Sequence, residues 1–226
     1  MSASRTQKAD LDWRDGLVPV SRQFQDPYFS LADGMAESRH VFLAGNRLPE
    51  RLTDGFHVAE LGFGTGLNAM LLAQAWAGEN RPGRISYTGF EAFPMNPDDM
   101  AQAHRAWPNL AGLSESLIAE WRAGTKQFAL GGVDVTLVFG DARQTVPAWD
   151  GVADAWFLDG FSPAKNPELW EPDLLRAVGE HTKSGGTFAT YSAAGHVRSS
   201  LADGGFEVER TNGFGRKRHM TIGIKY

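Results

Sequence analysis

The segment Glu60-Leu61-Gly62-Phe63-Gly64-Thr65-Gly66 constrains this chain more than any other. A short strand pattern over 56–61 runs into it, and Leu67, Met70, Leu71 and Ala75 recur behind it at helical spacing up to about Trp76. A strand that turns through glycines into a helix is the opening unit of a sheet covered by helices. The glycines let the backbone approach a ligand closely and aim free amide groups at it. The spacing is E-x-G-x-G-x-G, which differs from the G-x-G-x-x-G of dinucleotide sites. No G-K-[ST] follows, which argues against a phosphate-gripping loop.

The remaining chain continues the alternation. Strand patterns cover Ile85–Glu91, Val133–Phe139, 153–159 and 187–192, and helical patterns run from Pro97 to a break at Pro108, over 114–126, over Pro172–Glu180 and over 197–202. The last two strand patterns, 206–210 and 220–225, follow one another without a helix, so they are expected to pair antiparallel. The whole reads as an α/β fold with an open, mostly parallel sheet covered on both faces. Ahead of the main domain of 56–226, residues 10–55 read as a small N-terminal extension packed on it, with a hairpin turn at Asp15-Gly16. Residues 1–9 are polar and expected to fray. With 226 residues, one core fits and a second full domain does not.

Composition removes whole classes of chemistry. Cysteine is absent, which excludes disulfides, thiolate nucleophiles and Cys-ligated metal centres. The histidines, at 40, 57, 104, 181, 196 and 219, form no H-E-x-x-H or H-x-H, so no metal site is expected. No long apolar run and no basic-then-apolar leader occurs, so neither a membrane span nor a secretory signal is read and the cytoplasm is the default location. A net charge of −5 argues against a protein that coats nucleic acid non-specifically, while leaving room for a local basic patch that grips a folded RNA.

An acidic residue just before the glycines repels a pyrophosphate and suits a cation. The sulfonium and α-amino groups of S-adenosylmethionine fit that preference. Glu91 ends the second strand, where a carboxylate accepts both hydroxyls of a ribose. Asp141 ends the third, facing an adenine amino group, with the Ala142 backbone beside it. Helix capping or a solvated loop is the alternative for each acid. Asp159 ends the fourth strand, where a transferring group sits in such sheets, and is the candidate to hold an acceptor amine and take its proton; a structural turn is the alternative. Phe161 and Trp170 read as walls or stacking surfaces, or as core. Arg216, Lys217 and Arg218, with Lys165 and Arg143 on the same rim, read as phosphate contacts or as a solvated turn. Asp26-Pro27-Tyr28-Phe29 and Glu37-Ser38 either fold over the site or serve as scaffold. Methyl transfer to a small amine or protein, non-catalytic donor binding, and a nucleotide-dependent oxidoreductase disfavoured by Glu60 remain rival functions.

An ordered set of stretches resembles the methyltransferase domain of the MnmC family, whose stand-alone members are called MnmD. These are 26–30, Glu37 with 40–43, 60–68, Glu91 with Pro94, Asp141-Ala142, Leu158-Asp159-Gly160-Phe161-Ser162-Pro163 with Asn166-Pro167 and Trp170, Tyr191-Ser192-Ala193, and Gly213-Phe214-Gly215-Arg216-Lys217-Arg218. They span nearly the whole chain. The resemblance implies a class I S-adenosylmethionine-dependent methyltransferase with a Rossmann-like sheet. Its expected reaction is N-methylation of the aminomethyl group of 5-aminomethyl-2-thiouridine at the tRNA wobble position, giving 5-methylaminomethyl-2-thiouridine. It implies a donor site of Glu60, Gly62, Phe63, Gly64, Thr65, Gly66, Asn68, Glu91, Asp141 and Ala142, with Asp159 between the donor and the amine it activates. Phe161, Pro163, Lys165, Trp170, Arg216, Lys217 and Arg218 fall on the tRNA side. In two-domain members a flavin-dependent oxidase follows; this chain ends at Tyr226, so no flavin is expected and other enzymes would install the aminomethyl group.

Overall fold

Asp15 and Gly16 both take positive φ, 51° and 66°, and turn strand β1 (Leu11–Arg14) back onto β2 (Val18–Ser21), which pairs with the short β3 (Asp26–Pro27). The structure, a computed structural model, describes residues 7–30 and 32–226. Residues 1–6 of the tail expected to fray lie outside the described residues. Lys8 and Ala9 are tied down: Lys8 Nζ donates to Asn96 Oδ1 at 2.9 Å and the Ala9 amide to the Pro94 carbonyl at 3.2 Å.

The extension continues through α1 (Gly34–Ser38), whose N-cap Asp33 accepts from the Ala36 amide, then a π turn Arg39–Leu43 and a 3-10 turn Ala44–Asn46. Asn46 is completely buried and fastens these turns to the main sheet. Its amide donates to the carbonyls of Phe42 and Trp156, and its oxygen accepts from Thr187 Oγ1 at 2.6 Å. A buried amide left without these partners would cost about 1–3 kcal/mol, so the extension is joined to the main domain by polar as well as apolar contact.

The main sheet has eight strands: β4 (His57–Leu61), β5 (Ile85–Glu91), β6 (Gln127–Leu130), β7 (Val133–Phe139), β8 (Ala153–Leu158), β9 (Thr182–Thr190), β10 (Phe206–Asn212) and β11 (His219–Lys225). Their order is β10-β11-β9-β8-β4-β5-β7-β6. The run from β9 to β7 is parallel, and both edges close antiparallel. The second antiparallel edge was not expected. Residues 127–130 follow a helix that begins at Ala111 and ends at Ala123 rather than running over 114–126; Gly124 stops it with φ 72°, and the chain returns as β6.

Side chains alternate across the strands. Val58 and Tyr87 point into a core shared with α2 (Leu67–Gly78), α3 (Pro97–His104) and α4 (Ala111–Ala123). Ala59, Leu61 and Trp156 point into a second core shared with α6 (Pro172–Glu180) and α7 (Gly195–Asp203), near the short α5 (Ala142–Thr145). Helix α2 buries Leu67, Met70, Leu71, Leu72 and Trp76, because sheet, α4 and extension surround it. Each such side chain contributes roughly 1.5–3 kcal/mol. Among the described residues no helix is long and apolar enough to cross a membrane, and no group of three metal-ligating side chains occurs.

Candidate functional site

The parallel strands end on a cavity of about 930 Å³. The glycine turn forms part of its floor. Gly62 and Gly66 take φ of 78° and 74°. A β-carbon on Gly62 would lie 3.0 Å from the Asp159 carbonyl oxygen, and one on Gly66 2.6 Å from Leu117 Cδ2. Most of the turn's amides, expected to point free at a ligand, are instead paired. Those of Gly62 and Phe63 donate to the Phe90 carbonyl, that of Gly66 to the Phe63 carbonyl, and that of Gly64 to Glu91 Oε2 at 2.7 Å. A turn in which four of the five amides from Gly62 to Gly66 are already paired is poorly suited to a phosphate. Phe63 stacks on Trp121 with centroids 5.5 Å apart, so its ring props the turn from below.

Glu60 differs from expectation in position. The period of the strand puts it on the Val58 face, beneath α2, and the residue is 1% exposed. It accepts from Tyr87 Oη at 2.5 Å and from Asn68 Nδ2 at 2.7 Å. Asn68, on the first turn of α2, is the residue that lines the cavity. Its Nδ2 also donates to Asp159 Oδ2 at 2.9 Å, and its Oδ1 is buried without a partner. Burial, with repulsion from Asp159, pushes the Glu60 carboxyl well above the usual range.

Asp159 follows β8 on the cavity floor, its Oδ1 accepting from the Gly160 amide at 2.8 Å. Burial pushes its carboxyl up to about 7, against the lowering effect of the Gly160 amide, Asn68 and the Lys217 charge. Glu91 ends β5 with one oxygen on the Gly64 amide and the other on the Phe93 amide, and burial raises it too. Each of its oxygens keeps a second lone pair. Asp141 caps α5 and is gripped by the Arg143 guanidinium, which holds its carboxyl below the ordinary range and also pairs with Glu171. Ala142 and Thr65 line the same cavity.

On the opposite side Phe161 stacks on Phe24 at 4.8 Å and meets the edge of Tyr28 at 5.0 Å. The extension therefore roofs the cavity. Asp26 fixes the roof by accepting from the Ser162 amide at 2.9 Å and from Lys165 Nζ at 2.7 Å. Lys165 is thus a fastening at the rim, and Trp170, 2% exposed, props the loop by donating to the Phe161 carbonyl. Pro163 and Arg218 stand outside the lining, as do Glu60 and Gly66. Arg216 and Lys217 line it; Lys217 Nζ lies 2.9 Å from Glu37 Oε1 and 4.1 Å from the centroid of Tyr191. Phe24 was not read from the sequence, and Tyr191 was read only as part of a stretch that carries the resemblance, with no site role. Tyr191 follows β9 at the same sheet edge as Glu91 and Asp159, a position that would have pointed to it.

A family model described as S-adenosyl-L-methionine-dependent methyltransferase matches residues 108–226, a little over half of the chain. The fold is similar to that of MnmC2 from Aquifex aeolicus, with a TM-score of 0.77 and 27% identity over 97% of this chain and 71% of that one. More distant likenesses include the amino pentose methyltransferase CalS10 from Micromonospora echinaspora (TM-score 0.44, 13% identity, 86% and 89% of the two chains). Another is precorrin-6y C5,15-methyltransferase from Geobacter metallireducens (0.48, 15%, 91% and 94%). The chain belongs to the family of S-adenosyl-L-methionine-dependent methyltransferases, and its domain is of the MnmC2 type.

Proposed function

We propose that the protein methylates the primary amine of 5-aminomethyl-2-thiouridine at the tRNA wobble position, as its resemblance to the MnmC family implies. The observation that carries this reading is the Asp159 carboxyl on the cavity floor, held up at about 7. An alkylammonium must lose a proton before its nitrogen has a lone pair to offer. A carboxyl at the ordinary value near 3.8 is a poor acceptor for that proton at neutral pH, and one near 7 is matched to it.

The residues present fit the methyl donor. Asn68 Oδ1, buried without a partner, suits the N–H of the donor's α-ammonium group, and the spare lone pairs of Glu91 suit two ribose hydroxyls. When bound, S-adenosylmethionine supplies a methyl group on a sulfonium that departs as a neutral thioether. Asp159 orients the amine and accepts its proton, and the Phe24–Tyr28–Phe161 roof limits access of water. No covalent attachment to the protein is needed; alignment of nitrogen, methyl carbon and sulfur does much of the work. Arg216 and Lys217 at the mouth, with Arg218 beyond it, supply positive charge for tRNA phosphates.

The test is transfer of label from S-adenosylmethionine to tRNA bearing 5-aminomethyl-2-thiouridine, beside unmodified tRNA and an Asp159→Ala protein. Label in 5-methylaminomethyl-2-thiouridine that requires both the modified base and Asp159 is the expected result. Donor binding without transfer to any tRNA would overturn the RNA substrate and redirect the search to small amines and proteins.

A further inference from the structure

The reaction proposed above leaves one arrangement in the cavity unexplained. Lys217 sets its ammonium against the Glu37 carboxylate at 2.9 Å and over the Tyr191 ring at 4.1 Å, in the same cavity as Asp159. An acid and an aromatic face converging on one point form a receptor for a compact cation. The end of a lysine side chain, a methylene bearing a primary ammonium, is chemically the same group as the aminomethyl substituent of the substrate.

The two partners are held unequally. Glu37 lies on α1, fixed by the Asp33 cap and by the hydrogen bond its backbone amide donates to the Asp33 carbonyl, and its side chain is 13% exposed. Lys217 rides on the turn between β10 and β11 with its side chain 49% exposed. The lysine is therefore the member that leaves. Its departure alone would strand a largely buried carboxylate, a costly state. Exchange for a second primary ammonium keeps the charge balanced.

We propose that Glu37 and the ring of Tyr191, facing the same cavity as Asp159, complete with it the subsite for the acceptor's primary ammonium, and that Lys217 occupies the Glu37–Tyr191 part until the acceptor arrives. This rests on the amine-acceptor reading. The released Lys217 stands beside Arg216 at the mouth, where an RNA phosphate is a replacement anion. Acceptor entry is thus a double exchange: the amine takes the place of the lysine on Glu37, and a phosphate takes the place of Glu37 on the lysine. A free amine or nucleoside offers only half of the exchange, so the site discriminates against it.

The experiment titrates 5-aminomethyluridine nucleoside into the full chain loaded with S-adenosylhomocysteine, with 5-hydroxymethyluridine as a neutral control. Lys217→Gln opens the subsite and is expected to bind the aminomethyl nucleoside at least threefold more tightly than the unaltered protein, with no gain for the control. Adding Glu37→Gln to that variant removes at least tenfold of the affinity. Tyr191→Phe, which keeps the ring, retains binding, whereas Tyr191→Leu loses it; S-adenosylhomocysteine affinity reports that each variant is folded. Equal or weaker binding by Lys217→Gln, or indifference to Glu37→Gln in its background, overturns the proposal. If tRNA is methylated with dependence on Asp159 and these nucleoside effects are absent, the subsite falls alone. If the nucleoside order holds and no tRNA is methylated, the subsite stands and the tRNA reading falls.

Discussion

Asn68 and Asp159 are joined by a single hydrogen bond, Nδ2 to Oδ2 at 2.9 Å, and the same nitrogen also serves Glu60 at 2.7 Å. Two carboxyl groups on one side of the amide fix its orientation and leave Oδ1 as its unpaired acceptor. Asn68→Ala therefore removes the acceptor available to the donor's ammonium and leaves the two acids without their shared N–H. Donor affinity measured by calorimetry is expected to fall at least tenfold, about 1.4 kcal/mol. Asn68→Asp, which adds a third acid to the cluster and removes the N–H that Asp159 accepts, is expected to push the Asp159 carboxyl further up and so to shift the pH–rate profile to higher pH. Donor affinity unchanged in Asn68→Ala would remove Asn68 from the donor site.

Methyl transfer follows the ionised fraction of Asp159, because only the carboxylate takes a proton. With its carboxyl at about 7, kcat/KM is expected to rise about tenfold per pH unit below that value and to level off above it. A profile flat from pH 5.5 to 8.5 would exclude Asp159 as the proton acceptor.

The same burial costs stability. Asp159 ionises near 3.8 in the unfolded chain and near 7 in the folded one. Between these values the folded state holds a proton that the unfolded state has released, so this group's contribution to stability falls as pH rises through the window. Asp159→Asn is expected to stabilise the ligand-free protein by about 1–3 kcal/mol at pH 8 and to make no difference below pH 4. Its rate is expected to drop about 10²- to 10⁴-fold. Denaturant titration at both pH values, beside single-turnover rates, checks the pair of effects.

Two glycines of the turn are expected to fail differently. Gly66→Ala sets a β-carbon against Leu117 Cδ2 and forces alanine into the left-handed region, so about 1–2 kcal/mol of stability is lost. Gly62→Ala presses on the Asp159 carbonyl itself, and it is expected to lower the rate more than its melting shift accounts for. Melting temperature and kcat, measured on both variants, separate the two. Equal loss of rate in the two proteins would argue against a role for Gly62 in placing Asp159.

The fold was legible where one periodicity ran uninterrupted. Ile85–Glu91, Val133–Phe139 and Pro172–Glu180 form elements with the bounds their patterns suggested. Residues 127–130 were not legible, because a four-residue strand between a helix end and Gly131-Gly132 carries too few alternations to stand apart. The helical turns over 34–46 are each too short for a 3.6-residue pattern to emerge. At the site, the acids at strand ends were readable from position along the strand. Which face each side chain takes was not, and so Glu60 lies under the floor and Asn68 on it. Glu37 and Lys217 lie 180 positions apart in the sequence, and only tertiary packing shows that they meet.

The stacking of Phe24 on Phe161 has a consequence for the order of assembly. The parallel core pairs strands from β4 onward without help from the roof. The N-terminal strands, made first during synthesis, also rest on the segment after β5, where Phe24 meets the edge of Phe93 at 5.5 Å and Gln102 donates to the Gly16 carbonyl, but their seat on Phe161 and Ser162 waits for the loop after β8. Long-range contacts of this kind form late. A chain with its sheet complete and its roof unseated would be an open trough, folded yet unable to retain a ligand. Competence to bind is then gained in a final docking step that sheet-based probes of folding would not register.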